Sequence, residues 1–273
     1  MLDFFLIQES NRFLCFLCFL GLLIRKLPLF FFHFWLTKAH VRASGCGSII
    51  LASLILKIGS IGFYKFYYIF FRNFKNLSHI FFSVVVFRSV ILILIIIRFF
   101  DLKYLVACSS IVHIAPIFPL CLWGERVSLY SSVIIIVGHG LVSYFIFFLV
   151  SLIYERSYNR SIDYNKRLKS FSSIFILFLF FFFLLNIGFP PFCRFIRELI
   201  FLRSFFYAGS TLCVLFCVSL VLGGLIFFFV LRKSLFGKKL IFYVSNLNSN
   251  VYLYFHLFLF FFSFGTFHLF LPY

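Results

Sequence analysis

The feature that most constrains this chain is a series of long apolar runs, of which FILFLFFFFLL at 175–185 is the most extreme. A helix or strand formed by such a run has no polar face that could contact water. Apolar residues make up 64% of the 273 residues and charged residues 12%, against about 45–50% and about 25% in soluble domains. The sequence therefore excludes a soluble globular fold and predicts an all-α polytopic membrane protein.

Polar breaks divide the chain into about eight transmembrane helices within a single transmembrane domain, 1–273. Two runs are too long for one straight crossing, and each contains proline near its middle, at Pro28 and at Pro190-Pro191. Proline removes a backbone donor and clashes with the preceding turn, so we expect two broken helices, a simple kink being the alternative. The predicted spans are 4–36, 44–68, 78–99, 103–122, 127–153, 172–207, 210–231 and 251–271.

The 25 Lys and Arg residues outnumber the 7 Asp and Glu residues and lie mostly in short connectors. This distribution indicates membrane topology rather than nucleic-acid binding. The positive-inside rule places the richer side on the matrix or cytoplasmic face, with both termini opposite. The richer side holds Lys38, Arg42, Arg98, Lys103, Arg156, Arg160, Lys166, Arg167, Lys169, Arg232, Lys233, Lys238 and Lys239, and the other side holds Arg12, Lys65, Arg72, Lys75, Arg126 and Arg203.

The cysteines do not indicate a metal site, and the N-terminal residues do not indicate an import presequence. Cys15 and Cys18 form a single CxxC inside an apolar run, without a second pair to complete a metal site. The first twelve residues contain Asp3 and Glu9, whereas an import presequence is rich in arginine and poor in acids. The 50 Phe beside one Met fit the nucleotide bias of an organelle genome. We therefore expect no metal and an organelle-encoded chain.

Ionisable residues inside the apolar runs are the candidates for function, since a charge at mid-bilayer costs about 2.5–3.5 kcal/mol. Lys57 lies too deep to reach the surface easily, and burial disfavours its charged form, which suits proton exchange. His113 and His139 lie in neighbouring spans and suit a relay. A structural ion pair for Lys57 and simple packing for the histidines are the alternatives. The candidates are Lys26, Lys57, Arg88, His113, His139 and Glu198.

Glu198 is the one carboxylate predicted within a span, and it follows the Pro-Pro break by about two turns. Arg194 lies four residues before it, so a structural ion pair is the alternative to a functional carboxylate. Arg88 has no obvious acidic partner, and we expect it to pack against a neighbouring subunit. The sequence contains no nucleotide-binding glycine pattern, phosphate loop or supported Ser-His-Asp set, so we expect no redox or hydrolytic chemistry on this chain.

Five stretches together resemble a known family in their order and spacing. That family is chain 4 of the proton-pumping NADH:ubiquinone oxidoreductase, respiratory complex I. LIYERSYNRS and HFWLTKAHV look more like chain 4 than like the sister antiporter-like chains 2 and 5. The stretches are KLPLFFFHFWLTKAHVRAS (26–44), GSIILASLILKIGSIGFY (47–64), DLKYLVACSSIVHIAPI (101–117), GHGLVSYFIFFLVSLIYERSYNRS (138–161) and LNIGFPPFCRFIRELIF (185–201).

The resemblance implies an antiporter-like fold of two inverted five-helix repeats, of which this chain holds only the second repeat and the C-terminal helices. In that family Lys26 matches the broken-helix lysine and Lys57 the central membrane lysine. Glu198 matches the terminal carboxylate. His113 and His139 match the relay residues that lie between the lysines and that carboxylate. The departures from the family pattern, Thr37, Arg42 and Ser44, lie in a connector and leave its conformation open.

The resemblance also implies a role in the H⁺-translocating NADH:ubiquinone reductase of the mitochondrial inner membrane. Its partners would be lipid and the chain 2 and chain 5 homologues, while NADH, FMN, Fe–S clusters and ubiquinone bind elsewhere in the complex. In the family, the lysine that matches Lys26 pairs with a glutamate on an earlier helix. Another polypeptide would supply that helix here, unless this half-pathway has been lost. The alternatives are a non-pumping structural relic and a stand-alone cation/proton antiporter.

Overall fold

The computed structural model describes residues 34–70, 75–99, 101–123, 126–165, 173–189 and 210–236, together with 21, 195, 198–200, 202, 203 and 206. These residues form a bundle of helices joined by short connectors, with an isolated backbone bridge between Asp101 and Ser161. The all-α membrane fold predicted from the apolar runs is confirmed. Both chain termini, nearly all of the predicted span 4–36 and the whole of 251–271 lie outside the described residues.

Five segments of the described chain are long and apolar enough to cross a membrane: Gly45–Lys65, His79–Ile96, Leu102–Leu122, Ser128–Glu155 and Cys213–Leu235. They correspond to the predicted spans 44–68, 78–99, 103–122, 127–153 and 210–231, and Phe175–Ile187 is a shorter apolar helix in the predicted span 172–207. The helices are α1 Phe34–Arg42, α2 Gly45–Ile50, a π-helical turn Leu51–Ile55, α3 Leu56–Phe70, α4 Lys75–Arg98, α5 Leu102–Ile114, α6 Ile117–Trp123, α7 Arg126–Ser157, α8 Ser173–Ile187 and α9 Ser210–Phe236.

The segment Leu102–Leu122 forms the centre of the bundle, since 94% of its most apolar window is buried, compared with 33% for Cys213–Leu235. Serine hydroxyls within this centre bond to their own helix: Ser109 Oγ donates to the Val106 carbonyl at 2.8 Å, and Ser110 Oγ donates to the Ala107 carbonyl at 2.7 Å. A hydroxyl in hydrocarbon needs a partner, and the preceding turn supplies one. The polar residues of α5 are therefore tolerated inside the membrane.

Two helix ends shape the interior. The first lies between α5 and α6. It interrupts the predicted span 103–122 and was not expected from the sequence. Its cause is Pro116, which has no N–H and cannot donate to the Val112 carbonyl.

The second is the end of α8, where Gly188 adopts φ +81° and its N–H bonds to the Leu184 and Leu185 carbonyls at 3.2 and 3.3 Å. Glycine takes this left-handed conformation without strain. The helix thus ends at Ile187, three residues before Pro190, where a break is predicted, while the break predicted at Pro28 lies outside the described residues.

Cations tie the helices together at one end of the bundle, which we call the cationic end. Lys103 Nζ donates to the Ala43 carbonyl at 3.2 Å, and the Arg160 guanidinium donates to the Val41 carbonyl. Both carbonyls lie at the C-terminal end of α1, where the helix dipole favours positive charge. Lys233 lies at the same end, with its Nζ 4.0 Å from a carboxylate oxygen of Asp163. Lys103, Arg160 and Lys233 therefore share one end of the bundle, as their assignment to one side predicts.

Two of the three departures from the family pattern, Thr37 and Arg42, lie within α1 and not in a connector as expected, and only Ser44 lies between α1 and α2. Thr37 Oγ1 donates to the Phe34 carbonyl at 3.1 Å within the first turn of α1, which ends at Arg42. Ser44 Oγ accepts the backbone N–H of Gly47 at 3.3 Å and so caps the N-terminus of α2. Serine at this position therefore begins the next helix.

Candidate proton-transfer site

Lys57 is held inside the bundle by an irregular turn of its own segment. In the π-helical turn Leu51–Ile55 the backbone hydrogen bonds reach five residues back, and Leu56 N–H bonds to the Leu51 carbonyl. Lys57 Nζ donates to the carbonyl oxygen of Ala52, also five residues earlier. The lysine is 8% exposed and Ala52 is fully buried. The turn thus provides the buried amine with an acceptor from its own segment.

Two residues of α7 complete the surroundings of the amine. His139 Nδ1 lies 3.1 Å and Ser143 Oγ 3.2 Å from Lys57 Nζ, and both residues are buried. His139 and Ser143 are four residues apart, so they occupy the same face of α7. With the Ala52 carbonyl they give the amine three partners, as many as the N–H donors of a protonated lysine.

The contact between Lys57 and His139 allows direct proton exchange. When the amine is protonated, the Nδ1 atom of His139 accepts its hydrogen bond; after transfer, the imidazole donates back to the neutral amine. The separation of 3.1 Å is within the normal hydrogen-bond range of about 2.7–3.2 Å. This step therefore requires no intervening water.

Gly140 makes room for the lysine beside His139. A methyl carbon placed on Gly140 would lie 3.2 Å from Lys57 Cε and 3.8 Å from Lys57 Cδ. The absence of a side chain lets the lysine stem pass close to the backbone of α7. The sequence Gly-His-Gly at 138–140 thus combines a titratable ring with the space that its partner requires.

His113 of α5 lies next to His139, with a ring-centroid distance of 6.2 Å and an angle of 43° between the ring planes. At this separation the two imidazole rings are neighbours, and a water molecule would connect their nitrogens. The structure thus brings Lys57, His139 and His113 into one row, in the neighbouring helices that the sequence predicts.

Glu198 lies beside the end of α8. A methyl carbon placed on Gly188 would approach Glu198 Oε2 to 2.8 Å, so this carboxylate packs directly against the glycine backbone. The helix end therefore positions the carboxylate. Lys26 lies outside the described residues, as do Arg194 and Arg197, the neighbours considered as alternative ion-pair partners.

His40 and Lys103 are buried polar residues that the sequence reasoning did not single out as interior groups. His40 is fully buried and stacks on Phe147 at a centroid distance of 4.6 Å, with neither ring nitrogen hydrogen-bonded within the described part of the chain. Lys103 is 1% exposed, although its place near a helix end suggests a surface cation. The spacing of Thr37 and His40, three residues apart and both buried, could have identified the inner face of α1.

Arg88 corrects one expectation. Its side chain is 2% exposed, so it lies inside this chain's bundle and not on a surface that packs against a neighbouring subunit. No nitrogen of its guanidinium forms a hydrogen bond with any described residue. The physical reason is that α4 packs against α5, α6 and α9, and that Arg88 lies close enough to Cys108 of α5 to interact with it electrostatically. No group of three His, Cys, Asp or Glu side chains that could hold a metal occurs among the described residues.

The chain is similar in sequence to NADH-ubiquinone oxidoreductase chain 4 proteins and similar in fold to chains of solved membrane complexes. NADH-ubiquinone oxidoreductase chain 4 of Petromyzon marinus is 33% identical over 212 residues, which cover 76% of this chain and 45% of the relative. A chain of respiratory complex I from Thermus thermophilus superposes with a TM-score of 0.84 at 20% identity, covering 95% of this chain and 55% of that one. A chain of the Mrp complex from a Dietzia species gives a TM-score of 0.75 at 18% identity, covering 82% of this chain and 42% of that one.

The chain therefore spans about half the length of the chain 4 relative from Petromyzon marinus. The resemblance to chain 4 proteins predicted from the sequence is confirmed, and the solved structures show the antiporter-like fold. The protein-family model for the transmembrane part of NADH:quinone oxidoreductase and Mrp antiporter proteins matches residues 1–223. The chain thus belongs to the NADH:quinone oxidoreductase/Mrp antiporter transmembrane family.

Proposed function

We propose that the chain is a membrane-arm subunit of a proton-pumping NADH:ubiquinone oxidoreductase and provides part of a proton pathway through the membrane domain. Protons move along the row Lys57, His139, His113 and Glu198, with Lys26 at the opposite end. The chain takes part in the translocase reaction without performing redox chemistry. NADH, FMN, Fe–S clusters and ubiquinone bind to other subunits of the complex.

The observation that supports this proposal best is the contact of 3.1 Å between the buried Lys57 amine and His139 Nδ1. The alternative, a structural ion pair, would require a carboxylate beside the Lys57 amine. The described partners of Lys57 are a carbonyl, a hydroxyl and an imidazole. Of these, only the imidazole can exchange a proton reversibly near neutral pH. The geometry therefore favours proton transfer over a fixed ion pair.

The proposed setting is the mitochondrial inner membrane, next to the chain 2 and chain 5 homologues, with the chain encoded in the organelle. The cationic end faces the matrix, in keeping with the positive-inside rule. Coupling arises because a proton arriving at one end of the row changes the charge that the next group experiences. An acidic side chain of a neighbouring polypeptide pairs with Lys26.

The test compares Lys57→Met with Lys65→Met in the assembled complex. Both changes remove a lysine from the segment Gly45–Lys65, but Lys65 is exposed, whereas Lys57 is buried against His139. We expect Lys57→Met to assemble and to lower the number of protons pumped per NADH oxidised, while Lys65→Met pumps normally.

Two results would contradict the proposal. Normal pumping by an assembled Lys57→Met complex would support the alternative of a structural relic that scaffolds the membrane arm without moving protons. Cation/proton exchange by the purified chain without NADH-driven electron transfer would support the stand-alone antiporter.

A further inference from the structure

We propose that Asn186 is a positioning residue that holds a water molecule for proton transfer between His113 and Glu198. This inference rests on the proposed function and extends it to a residue that the sequence reasoning did not consider. Asn186 lies in the last turn of α8 and is 4% exposed, inside the membrane domain. An asparagine side chain does not titrate, but its amide offers both donors and an acceptor to a water molecule.

The first observation is a small cavity between α4, α5, α8 and α9. It has room of about 20 Å³ for water, and its polar lining comes from Ser109, His113, Asn186 and Ser219. A buried water requires roughly 10–15 Å³ and two to four polar partners. The cavity meets both requirements, and it lies directly against the relay histidine.

The second observation concerns the direction of the hydroxyl groups. Ser109 Oγ donates to the Val106 carbonyl at 2.8 Å and Ser219 Oγ donates to the Phe216 carbonyl at 2.7 Å. Each hydroxyl proton is thus used within its own helix, so the oxygens face the cavity as acceptors. Asn186 Nδ2 donates to Ser109 Oγ at 3.5 Å, which fixes the orientation of the amide.

The third observation is the position of Asn186 between two members of the proposed row. His113 lines the same cavity, and Gly188, two residues after Asn186, contacts the Glu198 carboxylate. A water held by Asn186 therefore lies next to His113 and near the helix end against which the Glu198 carboxylate packs.

The test uses two substitutions that separate water binding from packing. Asn186→Leu keeps the branched four-atom skeleton of the side chain but removes the polar partners, so we expect NADH-driven proton pumping to slow by about 10²-fold, the lower end of the contribution of a positioned proton-transfer contact. Asn186→Ser leaves a hydroxyl and more room for water, so we expect pumping close to that of the unmodified complex. A packing role for Asn186 predicts the reverse order, because serine leaves a cavity whereas leucine fills it.

Three outcomes overturn the inference: normal pumping by Asn186→Leu, equal impairment of both variants, or better pumping by leucine than by serine. If Asn186→Leu fails to assemble, the serine variant decides, since slow pumping in an assembled Asn186→Ser complex contradicts water positioning. Lys57→Met, measured in parallel, separates the two proposals. Slow pumping by Lys57→Met with normal pumping by Asn186→Leu rejects this inference alone, whereas normal pumping by Lys57→Met rejects the proposed function.

Discussion

Replacing Gly140 by alanine tests the transfer step between Lys57 and His139 without removing either group. The new methyl carbon would lie 3.2 Å from Lys57 Cε, whereas ordinary contacts between such atoms begin near 3.4 Å. Carbon atoms in ordinary contact lie about 3.5–4.0 Å apart. The lysine stem must therefore withdraw from α7 by about 0.2–0.5 Å to reach the lower part of this range. Because His139 is the neighbouring residue on α7, the same movement lengthens the contact of 3.1 Å between Nζ and Nδ1.

The expected magnitude follows from the sensitivity of catalytic steps to distance. A misplacement of about 1 Å costs about 10²-fold in rate, so a shift of about 0.2–0.5 Å costs about two- to tenfold. Stability should change little, since alanine is better than glycine in a helix by about 1 kcal/mol and this gain offsets the tighter contact. We therefore expect an assembled complex with slower pumping.

The assay is the initial rate of NADH-driven proton pumping by the purified complex in liposomes, together with its thermal unfolding temperature. Gly21→Ala is the control, because a methyl group on Gly21 meets no atom of the described residues within 4 Å. Normal pumping by the Gly140→Ala complex would refute the reasoning. An equal loss in the Gly21→Ala complex would also refute it, since the effect would then not depend on the lysine.

Further predictions concern the helix end at Gly188, the buried arginine, the orientation of the chain and the partner of Lys26. Gly188→Ala should lower both stability and pumping, because alanine at positive φ costs about 1 kcal/mol and its methyl would displace Glu198; unchanged thermal unfolding and pumping would contradict this. Arg88→Met should raise the unfolding temperature by a few degrees, since it removes a buried charge that costs about 2.5–3.5 kcal/mol in a membrane; a lower temperature would show that a partner outside the described residues binds the guanidinium. Trypsin should cut the 156–169 connector only after the inner membrane of intact mitochondria is opened, and cleavage from outside would reverse the orientation. A structure of the assembled complex should show a carboxylate within about 4 Å of Lys26, and lipid alone at that position would favour the structural relic.

The sequence by itself determined the membrane fold and most of the spans. Long apolar runs admit only helices in a membrane, because each backbone polar group must find its partner within the same segment. The end of α8 was predictable for a similarly local reason, since the prolines after Gly188 cannot continue a helix. Lys57, His113 and His139 were predictable as candidates because polar residues are costly in hydrocarbon and therefore conspicuous there.

Only the tertiary structure decided which of these groups meet. Lys57 and His139 are 82 residues apart in sequence, and their contact depends on how α7 packs against the π-helical turn, which no local pattern indicated. The burial of Arg88, His40 and Lys103 likewise depends on which helices surround them, because periodicity assigns a residue to a face but not to a neighbour. The cavity at Asn186 forms where four helices converge, so the sequence could supply its residues but not their proximity.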